Sequence, residues 1–169
     1  MLSLSSMSCS VPVLHNQDSS LIYRFCEMQA VSLCRFDTSL RIASLRYHFC
    51  QPTYNDAWPG VIPADLWSWT SYESCAESAL LGLTSEGWTG AEAFIICSDE
   101  TAWEGGVTHE SIRKGDKPER ETSVLDMIKH AYPKVKVREE YWKDNKRRSV
   151  WDNTKAKKLM GWEHRDVGK

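Results

Sequence analysis

The stretch Arg-Ile-Ala-Ser-Leu-Arg-Tyr-His-Phe at residues 41–49 decides the fold class, because it is short and rich in strand-forming residues. A helical pattern follows over residues 70–83, with Thr70 and Glu73 in the spacing of a capping box. Residues 93–97, Ala-Phe-Ile-Ile-Cys, form a continuous apolar run, typical of a strand covered on both faces in a parallel sheet. Strand, helix and strand in this order predict an α/β fold with a βαβ unit.

The remaining pattern predicts further helices at residues 20–36 and 124–131 and after Asp152 or Asn153, where Gly161 stops the last one. Val135 and Val137 alternate with charged residues and predict a half-exposed strand. Residues 98–121 are polar and are interpreted as a mobile loop or insertion. The apolar face of the helix at 70–83 is expected to consist of Tyr72, Cys75, Ala76, Ala79, Leu80 and Leu83.

The chain divides by composition into two parts. Residues 1–18 are rich in serine and show no helical or strand period, so they are expected to form a disordered lead-in. Residues 19–169 are expected to form the folded domain. The whole chain of 169 residues is 41% hydrophobic and 26% charged, which excludes an intrinsically disordered protein and is the size of one domain.

Charge and hydropathy exclude several classes of partner. The formal net charge of −2 argues against bulk binding to nucleic acid or to a membrane surface, and no apolar run is long enough to span a bilayer. The first 14 residues lack a basic n-region, so a signal peptide is not expected and we expect a cytoplasmic protein. Six cysteines without a Cys-x-x-Cys pair and five histidines without ligand-like spacing favour reduced thiols over disulfides or a metal site.

Motifs for catalysis are sparse. The sequence contains no Gly-x-Gly-x-x-Gly, Walker or Gly-x-Ser-x-Gly motif, and Gly105-Gly106 is interpreted as part of a flexible loop. Tyr132 and Lys136 have the Tyr-x-x-x-Lys spacing, but Pro133 prevents them from sharing a helical face. A cluster of Trp67, Trp69 and Tyr72 is interpreted as core packing, with a ring-stacking surface as the alternative.

Four segments, taken in order, carry a resemblance to a known family. They are similar to the C-terminal half of the NAD-dependent epimerase/dehydratase family, the extended short-chain dehydrogenases. The closing Lys-Ala-x-x-Leu-x-Gly-Trp is the most distinctive match. The resemblance implies the C-terminal part of a Rossmann-like parallel sheet with the small substrate-binding subdomain, and with the N-terminal half missing. The segments are residues 39–49, 66–83, 92–97 and 151–162.

The resemblance also implies a cofactor and a site. The family uses NAD or NADP and acts on sugar nucleotides or small carbonyl compounds. Tyr47, His48 and Phe49 would border the nicotinamide, and the loop at residues 50–67 would line the substrate pocket, with Trp67 and Trp69 as candidate substrate contacts. A histidine at a strand end also suits ligand contact on general grounds, although a structural role is more common.

The family's catalytic residues are not found. If Glu27 matches the glutamate that follows the catalytic lysine, then Ser19 and Tyr23 stand where the catalytic tyrosine and lysine belong. Catalytic residues therefore remain unassigned, and we expect cofactor binding by this chain to be weak or absent.

Three functional hypotheses follow. The chain is a truncated family member, inactive alone; or a non-catalytic binding or assembly module that dimerises with itself or with a full-length relative; or a fragment of a longer active enzyme. Without its neighbours the strand at residues 41–49 would become a sheet edge with unpaired backbone groups. We therefore expect marginal stability, exposed apolar patches and a tendency to associate.

Overall fold

The computed structural model describes residues 6–11, 17–104 and 123–165, and the side chains of 21–104 and 123–165. The strands are β1 (Ser6–Val11), β2 (Arg41–Tyr47), β3 (Cys50–Gln51), β4 (Thr70–Ser71) and β5 (Gly90–Ile96). The helices are α1 (Gln17–Phe36), α2 (Tyr54–Ala57), α3 (Tyr72–Thr84), α4 (Val124–Ala131) and α5 (Thr154–Met160), and short 3-10 turns occupy Pro63–Asp65 and Glu139–Trp142. The protein is therefore a mixed α/β fold. None of the helices in these ranges is long and apolar enough to cross a membrane.

The main sheet is parallel, with strand order β1-β2-β5. Ala43 of β2 is in register with Ser8 of β1 on one side and with Glu92 of β5 on the other. The expectation that residues 41–49 form a sheet edge is therefore wrong. The expectation of a disordered lead-in is also corrected for Ser6–Val11, which form β1. Serine alternates with Met7, Cys9 and Val11 in this segment, a period of two that the serine-rich composition conceals.

Helices cover both faces of the sheet. Successive residues of β2 point to opposite sides, so each face receives side chains from this strand. On one face, Ile42 packs with Ala30 and Cys34 of α1. On the other face, a larger core includes side chains from β2, β5 and α5. Its buried residues are Ala43, Leu45, Trp88, Phe94, Ile96, Ala156, Met160 and Trp162.

Helix α3 has the expected extent, but the expected apolar face is wrong. The buried residues of α3 are the small Ser74, Ser78 and Gly82, whereas Tyr72 and Leu80 are more than half exposed. A spacing of four residues puts the three small side chains on one stripe. Ser74 contacts the backbone of Arg165, whereas Ser78 contacts Tyr47 of β2 and Gly82 lets the helix backbone approach β2 closely. A β-carbon built on Gly82 would lie 3.5 Å from Cβ of Ala43.

The cap of α3 also differs from the expected capping box. Ser71 is the N-cap, and its Oγ accepts a hydrogen bond of 3.1 Å from the backbone N–H of Ser74. Thr70 instead lies in β4, where its hydroxyl donates to the carbonyl of Ile96 over 2.7 Å. Thr70 therefore belongs to strand β4 and does not cap the helix. Ser71 is the cap, so the helix begins one residue later than the capping box predicts.

Helix α4 confirms the expected helix at residues 124–131, and α5 confirms the last helix, which ends at Gly161 with φ of +70°. The strand expected at Val135 and Val137 is wrong, because none of the described strands pairs with this segment and Val135 is 56% exposed. Of the loop expected at 98–121, residues 105–121 lie outside the described ranges.

A second core lies beside the sheet and contains residues of α2 and α4. It buries Tyr54, Ala57, Val61, Trp67, Trp69, Ala102, Trp103, Val124, Met127, Ile128 and Trp142.

Candidate functional site

A polar cleft lies beyond the carboxyl end of β5. The chain continues from Ile96 through Cys97 to Asp99, and the segment before α5 lies against it through a hydrogen bond of 2.8 Å from Ser149 N to Asp99 O. In parallel α/β sheets, ligands bind at this edge. The cleft has a volume of about 570 Å³ and is lined by Asp99, Tyr141, Asn145, Arg148, Ser149, Val150, Trp151, Asp152, Asn153, Thr154 and Lys157.

Asp99 is hydrogen-bonded to two other residues that line the cleft. Its carboxylate accepts a hydrogen bond of 2.7 Å from Asn153 Nδ2 and one of 2.6 Å from Lys157 Nζ. Burial alone would raise the pKa of Asp99, but the hydrogen bonds from Lys157 and Asn153 outweigh it, and the net pKa lies below the usual value. Asp99 is therefore an anion at neutral pH and serves as a hydrogen-bond acceptor rather than as a proton donor.

Trp151 forms another part of the lining. Its ring packs on the imidazole of His48, with 4.5 Å between centroids and an interplanar angle of 33°. The indole Nε1 of Trp151 is buried and has no hydrogen-bond partner among the described residues. Because an unpaired buried N–H is costly, Trp151 adds to the lining a polar group that the described residues leave unsatisfied.

Three titratable groups near the strand ends, His48, Cys97 and Tyr47, are held in their neutral forms. Burial lowers the pKa of His48 to about 4 and raises the pKa of Cys97 to about 12. Burial likewise raises the pKa of Tyr47, whose hydroxyl donates to the carbonyl of Cys75 over 3.2 Å. None of these three groups is poised to exchange a proton near neutral pH.

The residues singled out from the sequence end up in different environments. Tyr47 and His48 lie at the end of β2, with His48 beside the cleft, whereas Phe49 packs against the second core. Trp67 and Trp69 are each 1% exposed in that core, so they do not present a ring-stacking surface.

Tyr132 and Lys136, which have the Tyr-x-x-x-Lys spacing, do not lie in one site. The hydroxyl of Tyr132 donates to the carbonyl of Pro63 over 2.7 Å, and Lys136 is exposed in the irregular segment after α4. Pro133 thus separates the two side chains, as the sequence indicates.

Sequence reasoning missed the residues that build the cleft. Lys157 forms an ion pair with Asp99, which lies 58 residues earlier in the chain. One local signal was present, because Asp99 lies three residues after the end of β5, where α/β proteins place ligand-binding groups.

The residues do not fit the dinucleotide that the resemblance implies. A pyrophosphate needs a glycine-rich turn between the first strand and its helix, so that backbone N–H groups can approach it. Residues 12–16, which connect β1 to α1, read Pro-Val-Leu-His-Asn and contain no glycine. No step of a mechanism is therefore assigned to NAD or NADP.

No protein-family model matches the chain, and no curated protein or solved structure matches it either.

Proposed function

We propose that this chain is an epimerase/dehydratase-like protein that binds a sugar nucleotide or a small carbonyl compound and does not catalyse hydride transfer by itself. The observation that carries the proposal is the polar cleft at the carboxyl end of the parallel sheet, whose lining combines cationic, anionic and amide side chains. The resemblance of the closing Lys-Ala-x-x-Leu-x-Gly-Trp supports the family part of the proposal. In the structure Trp162 of this motif is fully buried, and its Nε1 donates to Ser74 O over 3.0 Å.

The charges of the cleft favour a ligand that carries both anionic and hydroxyl groups. Lys157 and Arg148 supply cations, which suit phosphate or carboxylate oxygens. Asp99 and Asp152 supply carboxylates that accept hydrogen bonds from sugar hydroxyls, and hydrogen bonds from Thr154 hold the pKa of Asp152 below its usual value. A sugar nucleotide contains all of these groups.

The expected lack of catalysis has a separate basis. Ser19 and Tyr23 stand where the resemblance places the catalytic tyrosine and lysine, so a proton donor for the substrate carbonyl is not supplied there. With no glycine among residues 12–16, which follow β1 in the sequence, we expect no tight binding of NADH or NADPH.

Tryptophan fluorescence tests the binding proposal. UDP-glucose is the probe, titrated into the full chain, with NADH and NADPH titrated in parallel. We expect saturable quenching by UDP-glucose and about tenfold weaker binding for Lys157→Met, which corresponds to about 1.4 kcal/mol. Lys155→Met is the matched control, because Lys155 lies on the same helix but pairs with Glu92, outside the cleft.

Two results would contradict the proposal. If UDP-glucose and small carbonyl compounds such as dihydroxyacetone all fail to quench, or if the two lysine variants weaken binding equally, the cleft is not the ligand site. Saturable quenching by NADH at micromolar concentration, together with turnover, would instead support the active-enzyme hypothesis.

A second candidate function, an assembly module, is favoured by the outer face of α1. Ile22, Phe25 and Met28 are each about 60% exposed, and Phe36 is 93% exposed at the end of the helix. Contiguous apolar side chains on a helix face are typical of protein–protein contact surfaces. The expected occupant is a second copy of this chain or, as the resemblance implies, a longer relative.

Sedimentation velocity of the full chain tests self-association. We expect a concentration-dependent dimer that Phe25→Glu shifts to monomer. Val135→Glu is the control, because it places the same charge at an exposed valine in the irregular segment after α4. A wild-type chain that stays monomeric at high micromolar concentration would exclude self-association, and pulldown of a purified epimerase would then test the longer relative.

A further inference from the structure

Two cysteines from distant parts of the sequence meet beside the end of β2. Cys50 lies in β3 and Cys75 in the first turns of α3, and both are half-buried. The thiol of Cys75 donates to Sγ of Cys50 across 3.5 Å. The parallel pairing of Cys50 with Thr70, just before α3, brings the two thiols together although they are 25 positions apart.

We infer that Cys50 and Cys75 form an intramolecular disulfide on reaction with a peroxide, which makes this pair an oxidation site of the protein. The inference goes beyond the ligand-binding proposal and does not depend on it. It concerns a covalent modification that the spacing of the cysteines along the chain does not indicate, because they form no Cys-x-x-Cys motif.

The geometry assigns different roles to the two sulfur atoms. The hydrogen bond from Cys75 lowers the pKa of Cys50 and raises the pKa of Cys75. Cys50 is thus the thiol that ionises first and attacks the oxidant, since the thiolate is the nucleophile. Cys75 holds the proton and lies in position to resolve the intermediate.

The reaction balances in two steps. The Cys50 thiolate attacks one oxygen of hydrogen peroxide; an S–O bond forms, the O–O bond breaks, and the departing hydroxide takes up a proton to become water. The sulfur of Cys75 then attacks the sulfenic sulfur, so that the S–S bond forms and the S–O bond breaks. The second hydroxide leaves with the proton of Cys75 as water. Two thiols are oxidised and one peroxide is reduced to two waters.

The disulfide would tie β3 to α3 and close the loop that contains Trp67 and Trp69. Closing a loop reduces the conformational entropy of the unfolded chain, so we expect the oxidised form to melt at a higher temperature than the reduced form. The disulfide also lies next to Tyr47, whose hydroxyl bonds the carbonyl of Cys75. Oxidation would therefore restrain the backbone of Cys75, to which the side chain of Tyr47 at the end of β2 is hydrogen-bonded.

Peptide mapping of the full chain tests this site. The reduced protein is treated with one equivalent of hydrogen peroxide, its remaining thiols are alkylated, and it is cut after Arg, Lys and Glu. Cleavage after Arg46, Glu73 and Glu77 separates residues 47–73, with Cys50, from residues 74–77, with Cys75. We expect these two peptides to be joined, with the loss of two of the six thiols and a rise in melting temperature.

Variants make the result specific. Cys50→Ser should abolish the joined peptide and the rise in melting temperature, whereas Cys26→Ser, which removes a half-buried thiol of α1, should keep both. The inference is overturned if Cys50 and Cys75 stay alkylated while other thiols react, if each is oxidised without joining, or if Cys50 joins a different cysteine. The wild-type map decides the question even if a variant fails to fold.

Discussion

At the scale of single residues, the surroundings of a side chain decide its chemistry. His48 is at the strand end, where its sequence position suits ligand contact, yet its ring packs on Trp151 and burial lowers its pKa to about 4. The imidazole is therefore an apolar packing element near neutral pH. A histidine on the protein surface would have a pKa close to the ordinary value of 6.5.

This difference predicts a pH dependence of stability. Between the unfolded value of 6.5 and the folded value of about 4, the unfolded chain binds a proton at His48 that the folded chain does not. The free energy of unfolding therefore falls as the pH falls through this window, by about 2 kcal/mol between about pH 7 and about pH 5. Urea unfolding at the two pH values measures it.

His48→Phe should remove most of that loss, because the aromatic packing on Trp151 is kept while the titrating group is gone. His130→Gln, at an exposed position of α4, is the control for removing a histidine. Asp99 does not confuse the comparison, because its lowered pKa costs stability only as the pH falls below 3.8. An unchanged loss in His48→Phe would refute the assignment.

At the scale of elements, helix α3 shows that the spacing of apolar residues can predict a helix without predicting which of its faces is buried. The apolar residues recur at helical spacing, which correctly predicts a helix, but the side turned to the sheet carries serine and glycine. Small side chains let the helix approach the sheet closely, and the bulky Tyr72 and Leu80 are left outside.

Gly82 tests this packing. A β-carbon there would make ordinary contact at 3.5 Å with Cβ of Ala43, and alanine favours the helix over glycine. Gly82→Ala should therefore raise the free energy of unfolding by about 0.5 to 1 kcal/mol. Gly82→Leu should lower it by about 1 to 3 kcal/mol, because the added atoms overpack the interface.

Chemical denaturation measures both variants, and Leu80→Ala is the control on the exposed side of the same helix. If Gly82→Leu and Leu80→Ala destabilise equally, the buried face of α3 is not the one described.

At the scale of the whole molecule, β1 completes the sheet. Its six residues pair along β2, which becomes a central strand rather than an edge. Deletion of residues 1–11 should therefore lower the free energy of unfolding by about 3 kcal/mol or more, a large share of the stability of a small domain. It should also promote aggregation, because the edge of β2 would present unpaired backbone groups.

Thermal melting and light scattering measure these effects. Deletion of residues 1–5, which leaves β1 in place, is the control. A melting temperature that does not change when residues 1–11 are removed would support the interpretation of this segment as an unstructured lead-in.

The sequence by itself determined the class of the fold and most of its helices. Periodicity and caps are local properties, so α1, α3, α4, α5 and the strands β2 and β5 could be predicted from residues close together in the chain. The same local signals misassigned Val135 and Val137, because alternation predicts a strand only where another strand is available for pairing.

Only the tertiary structure decided which residues meet. The pairing of Asp99 with Lys157, the contact of Cys50 with Cys75 and the packing of Trp151 on His48 all join positions at least 25 residues apart. Such contacts depend on the register of the parallel strands and on which helix face turns inward. Those properties follow from the packing of the whole core, and no short segment contains enough information to specify them.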